Sequence, residues 1–139
     1  MIVVDSSAII AILFEEAEAS ACMHALQEAQ PRLISAVNYV ETGTVMAGRI
    51  KGGDRRAAIA DLDAFLTDFH IDIAPVDDRQ ARAAMQARIE YGQGFGTRGG
   101  LNFGDCFAYA LAKQHAAPLL YVGNDFLMTD IQAALAPMI

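Results

Sequence analysis

Two short apolar runs, residues 1–4 and 118–122, an apolar-centred stretch over 32–35 and an alternating one over 71–76 read as strands separated by stretches with helical spacing, and this alternation of strand and helix narrows the fold more than any other feature. Strands that are apolar along their whole length are buried on both faces, and strands that alternate with helices form a parallel sheet with helices covering it. The expected architecture is a three-layer α/β/α domain with a mostly parallel central sheet, formed by residues 1–139 as one unit. With 54% hydrophobic and 19% charged residues the chain can fill such a core, which excludes a disordered segment. No apolar run approaches the ~20 residues of a membrane span. Cys22 and Cys106 stand far apart and in no metal spacing, so neither a disulfide framework nor a zinc ribbon is expected. No Lys or Arg precedes Arg32, so the basic leader of a secretory signal is missing and a cytoplasmic protein is expected.

The helices carry their own punctuation. Ser6 and Ser7 can cap a helix over residues 8–14, and good helix formers continue over 17–29 until Pro31 stops them. A helix over 36–50 ends at Gly52 and Gly53, and Asp54 can cap the next, over 55–69. There Ile59, Leu62, Phe65, Leu66 and Phe69 repeat at the three-four spacing of an amphipathic face. Asp77 can cap a helix reaching Tyr91. Six of the eleven glycines lie between Gly92 and Gly104, which reads as a mobile loop, and a nearly all-apolar helix follows over 105–115.

Ligands of an open parallel sheet bind beyond the carboxyl ends of its strands, which makes the acids informative. Asp5 ends the first strand and Asp125 closely follows the last. Glu41 has Val37 and Val45 four residues to either side, so its helix face is otherwise apolar and its charge needs a partner. Asp105 opens the most apolar helix, near the positive end of the macrodipole. Singly, these residues read as helix caps, a turn residue and a core hydrogen-bond partner. Together at one sheet edge they repel unless a hard divalent cation sits among them, and Mg²⁺ or Mn²⁺ suits an all-oxygen set. His24, His70 and His115 are scattered and read as surface residues.

A net charge of −7 argues against coating a nucleic acid by bulk charge, so any polyanion must be held locally. Four of the ten basic residues, Arg49, Lys51, Arg55 and Arg56, gather around the Gly52–Gly53 turn as a candidate phosphate patch or as an ordinary solvated loop. In the glycine-rich loop, Phe95 could stack on a base and Arg98 contact a phosphate, as a substrate lid or as a connection without contacts. That loop follows a helix and not a strand, so it is no dinucleotide fingerprint.

Four segments carry a resemblance: Met-Ile-Val-Val-Asp5-Ser6-Ser7-Ala8, Ser35-Ala-Val-Asn38-Tyr-Val-Glu41, Leu101-Asn102-Phe-Gly-Asp105-Cys-Phe-Ala-Tyr109, and Leu120-Tyr-Val-Gly123-Asn124-Asp125-Phe126. In this order, over essentially the whole chain, they resemble the PIN-domain family, and within it the VapC-type toxins. The resemblance implies a PIN-like fold and a metal-dependent endoribonuclease, the toxin half of a type II toxin–antitoxin pair, with Asp5, Glu41 and Asp105 as ligands of Mg²⁺ or Mn²⁺. Many of these domains carry Thr-x-Asp after the last strand; Gly123 stands where that Asp would align, and Asp125, two places on, is its substitute. Ser7 matches a small hydroxyl residue two after the first acid, and Asn102 a polar residue one turn before the third, both orienting the site or its substrate. The resemblance further implies an antitoxin of the VapB type as partner, a homodimer, and RNA as substrate, with transfer RNA a family-level expectation. Ile9, Ile10, Leu13 and Phe14 exceed what one amphipathic face needs, so some are expected under antitoxin, a second copy, or simply in the core.

On this reading, metal-bound carboxylates activate water against a phosphodiester, with 5′-phosphate and 3′-hydroxyl products. Two other classes compete. A haloacid-dehalogenase-like phosphotransferase also begins with a strand ending in Asp, but its Asp-x-Asp motif is broken here by Ser7. A catalytically silent binding module would keep the fold, and loss of acids would be its signature; this chain retains all four.

Overall fold

The computed structural model describes residues 1–95 and 99–135. Their order is β1 (Ile2–Val4), α1 (Ser6–Leu13), α2 (Ala19–Glu28), β2 (Arg32–Ser35), α3 (Ala36–Gly48), α4 (Arg55–Asp68), β3 (Ile71–Ala74), α5 (Asp78–Tyr91), α6 (Phe103–Gln114) and β4 (Leu119–Leu120). The described strands form one parallel sheet in the order β3-β2-β1-β4. Residues 131–135 run beside the β4 edge, where Leu119 N–H donates to the Gln132 carbonyl at 2.8 Å and Ala134 N–H to the Leu119 carbonyl at 2.9 Å.

Strand alternation divides the core into two layers. Ile2, Val4, Ile34 and Leu120 face one side, where Ala8 and Ile9 of α1, Leu26 of α2, Met46 of α3 and Leu62 and Phe65 of α4 cover them. Val3 and Leu119 face the other, under Ala84 and Ala87 of α5 and Ala108 and Leu111 of α6. The three-layer arrangement is thus the one the apolar runs predict. α4 buries Leu62, Phe65 and Leu66, and Phe65 stacks on Phe69 at 4.7 Å between ring centres.

Two expectations need correction. Asp5, not Ser6 or Ser7, caps α1, because its carboxylate accepts the Ser7 N–H. α6 begins at Phe103, so Asp105 lies in its first turn behind the cap Asn102, and Gly104 is helical. The two ends of the glycine-rich segment are tied together: Leu101 N–H donates to the Tyr91 carbonyl at 3.1 Å and Gln93 N–H to the Leu101 carbonyl at 2.8 Å. Glycine permits that approach, since a Cβ on Gly99 would lie 1.9 Å from the Tyr91 carbonyl oxygen. Arg98 falls outside the described residues. Ile9 and Ile10 are core, whereas Phe14 is 39% exposed.

At the amino ends of the strands, Arg32 is buried and hydrogen-bonds two helix ends, through Nε to the Leu26 carbonyl of α2 and through Nη1 to the Phe69 carbonyl after α4 at 2.7 Å. A cation is favoured there by the partial negative charge of the helix-end carbonyls.

Candidate metal centre and its cleft

At the opposite, carboxyl ends of the strands, a cleft of about 380 Å³ is lined by Asp5, Glu41, Asp105 and Asp125 together with Ser7 and Asn102. Four acids scattered over 121 positions of the sequence therefore share one wall.

Asp5 leaves β1 with its N–H on the Leu120 carbonyl at 2.9 Å, which sets the carboxyl between β1 and the exit of β4. Its Oδ2 accepts from Ser7 N–H at 3.1 Å and from Ser7 Oγ at 2.6 Å, while Ser7 Oγ accepts the Val122 N–H at 3.0 Å. Ser7 thus fastens the first acid to the strand exit that leads to Asp125. Asp5 Oδ1 is buried and takes no hydrogen bond.

Glu41 projects from α3 and accepts from Ser6 Oγ and, at 3.3 Å, from Asn38 Nδ2. Asn38, fully buried one helical turn earlier, also donates to the Gly104 carbonyl at 3.0 Å, so one amide joins α3 to α6. A Cβ on Gly104 would fall 2.2 Å from Glu41 Oε2, so the first turn of α6 presses directly on that carboxylate. Asp105 and Asn102 form a reciprocal capping box, with Asp105 N–H donating to Asn102 Oδ1 at 2.9 Å and Asn102 N–H to Asp105 Oδ2 at 3.0 Å.

Burial and mutual repulsion dominate the electrostatics. Burial pushes the Asp5 carboxyl up to about 6 against the two Ser7 bonds, and the charges of Glu41 and Asp125 push the same way. Asp105 is raised well above the ordinary carboxylate range, first by burial and then by the charge of Asp5, which the Asn102 backbone bond does not offset. Among the described residues no three acids converge at the spacing of a finished coordination shell. Asp5 takes its bonds from Ser7, Glu41 from Ser6 and Asn38, and Asp105 from Asn102, while Asp105 also meets the Asp125 side chain. The donor set still fits a hard divalent cation: it is all oxygen, and the buried Asp5 Oδ1 takes no hydrogen bond.

Of the residues expected to touch substrate, Arg49 lines the cleft; Arg55 and Phe95 do not, the first lying exposed at the start of α4 and the second beneath the Arg88 guanidinium at 5.2 Å. Sequence reasoning missed Ser6, Asn38 and Gly104 as supports of Glu41. Asn38 was within reach, since it stands three residues before Glu41 on the same helix; the other two depend on the packing of α1 and α6 against α3.

Comparison with known proteins agrees with this geometry. Residues 2–131 match the PIN domain family. The chain is 44% identical over 133 residues to Ribonuclease VapC28 of Mycobacterium tuberculosis, covering 96% of this chain and 97% of that protein. The crystal structure of Mycobacterium tuberculosis VapC20, a sarcin-ricin loop cleaving toxin, superposes with a TM-score of 0.74 at 19% identity over 99% of this chain and 100% of that one. A toxin–antitoxin complex from Klebsiella pneumoniae gives 0.65 at 20% identity, covering 94% and 93%. The last two are likenesses of fold.

Proposed function

The chain belongs to the PIN-domain family, and from that premise we propose that it is an endoribonuclease, the toxin of a VapBC-type toxin–antitoxin pair, with residues 1–139 working as one nuclease domain. The observation that carries the reading is the buried, unbonded Asp5 Oδ1 in a cleft shared with Glu41, Asp105 and Asp125. It is supported by the full-length similarity to a relative named as a ribonuclease.

Asp5, Glu41, Asp105 and Asp125 would hold Mg²⁺ or Mn²⁺, which when bound supplies an activated water and a Lewis acid for the scissile phosphate. The remaining work belongs to the protein. Ser7 holds Asp5 so that one oxygen stays outside its hydrogen bonds, and Ser6 and Asn38 hold Glu41. Asn102 fixes Asp105 at the start of α6, where the helix dipole favours its charge. Water attack would leave 5′-phosphate and 3′-hydroxyl ends.

RNA is the proposed substrate, transfer RNA being the family-level expectation, with a VapB-type antitoxin and a second copy of the chain as partners in the cytoplasm. No helix among the described residues is long and apolar enough to cross a membrane. The test is incubation of antitoxin-free protein with total RNA and Mg²⁺ or Mn²⁺, followed by mapping of cut ends. Discrete cuts that vanish with chelator and in Asp5→Asn are expected; equal cleavage by Asp5→Asn overturns the assignment.

A further inference from the structure

Among the described residues, Arg49 is the one Lys or Arg that lines the acidic cleft. It caps the carboxyl end of α3, its N–H on the Val45 and Met46 carbonyls at 3.1 and 3.2 Å, where the helix end favours a cation. Its guanidinium carbon lies 4.2 Å from the centre of the Phe14 ring, and its Nη1 3.7 Å from Glu16 Oε2. Phe14 and Glu16 flank Glu15, a non-glycine residue in the left-handed region at φ +52°. That turn closes α1 with bonds from Glu15 N–H to the Ile12 carbonyl and from Glu16 N–H to the Ala11 carbonyl at 3.2 and 2.8 Å. The turn brings an aromatic face and a carboxylate to Arg49.

The pairing leaves the arginine largely uncommitted. A separation of 3.7 Å is beyond hydrogen-bond range, and the side chains of Arg49 and Glu16 remain 45% and 40% exposed, so water screens their attraction. Phe14 fixes the plane of the guanidinium without using its N–H groups. A fork of donors held in one plane matches two oxygens of a phosphodiester. An RNA backbone entering this cleft meets five carboxylates, those of Asp5, Glu16, Glu41, Asp105 and Asp125, and needs one local cation to hold it.

We propose that Arg49 clamps an RNA phosphate beside the scissile bond, and that Glu16 competes with that phosphate and so lowers RNA affinity in the resting protein. The proposal rests on the ribonuclease reading of the cleft and adds a substrate contact and its internal competitor.

The test uses the full chain carrying Asp5→Asn, so that binding is read without cleavage, and a fluorescein-labelled mixed-sequence 12-nucleotide RNA followed by anisotropy over a salt series. Arg49→Ala should weaken binding about tenfold, as loss of a charge-assisted contact does, and should flatten the salt dependence by about 0.7 in slope, one phosphate on a single strand. Glu16→Gln should tighten binding about threefold, the size expected on releasing an exposed pair, and this gain should disappear in the Arg49→Ala background. A contact that merely tied α1 to α3 would instead lower the melting temperature in both variants and leave affinity alone. Equal affinity of the parent and Arg49→Ala, or no measurable binding by the parent, overturns the proposal. Cleavage of total RNA by the unsubstituted chain with Mn²⁺ tests the ribonuclease reading separately, so the two can fail independently.

Discussion

The two ends of the sheet each bury a charge and treat it in opposite ways. At the amino end Arg32 places two of its donors on the Leu26 and Phe69 carbonyls. At the carboxyl end Asp5 keeps one oxygen without a hydrogen bond, and Asp105 is held among other acids at a raised protonation point. A buried charge with its hydrogen bonds filled joins elements together; a buried charge left short of partners is held ready for a ligand. The same strands carry both, so the amino end of the fold supports stability and the carboxyl end gives some of it up.

Substitutions at the two ends should therefore diverge. The largest effect is expected for Asp5→Asn, which should lower RNA cleavage by about a thousandfold, as loss of an electrostatic anchor in a dry site does, while leaving the fold intact by circular dichroism. Arg32→Ala should do the reverse, costing about 3 kcal/mol of stability through the loss of two charge-assisted bonds and the cavity left by a buried side chain. Its activity per folded molecule, scaled by denaturant titration, should be unchanged; loss of activity in a fully folded sample would break the contrast.

The pH dependence sharpens it. Because the folded-state value of Asp5 is raised from 3.8 to about 6, the folded chain holds a proton there that the unfolded chain releases. The contribution of Asp5 to metal-free stability is thus most favourable below about pH 4 and declines as pH rises through 6. In chelator, Asp5→Asn should match the parent near pH 4 and exceed it by about 3 kcal/mol above pH 7, read as unfolding free energies across pH. Mg²⁺ should raise the melting temperature of the parent and not that of the variant. The smallest effect is expected for Gly104→Ala, whose new Cβ would displace Glu41. It should slow cleavage about tenfold, as loss of a ligand's supporting contacts does, without lowering the melting temperature.

Much of this was legible in the residues. The apolar run before Asp5, the capping signals at Asp54 and Asp77 and the spacing of Leu62, Phe65 and Phe69 are local patterns, and each produced the expected element. The segments around Asp5, Glu41, Asp105 and Asp125 placed the acids in order, and the cleft unites them. Local pattern failed where two sites compete for one role. Asp5, Ser6 and Ser7 can all cap a helix, and only the path of the chain beyond β1 makes Asp5 the cap while Ser6 turns to Glu41 and Ser7 to Val122.

The sequence by itself determined the alternation of strand and helix, the burial of β1 and β4 and the family, because periodicity and residue type act over a few positions. The tertiary structure alone decided which neighbours those elements bring together. Arg49 and Arg55 are equivalent cations six positions apart, yet one lines the cleft and the other does not, since α3 ends beside α1 and α4 departs from it. Asn38 reaches the Gly104 carbonyl across 66 positions because α3 and α6 meet at the same edge. Such contacts follow from the strand order β3-β2-β1-β4, which the packing of the whole core selects and no local run of residues contains.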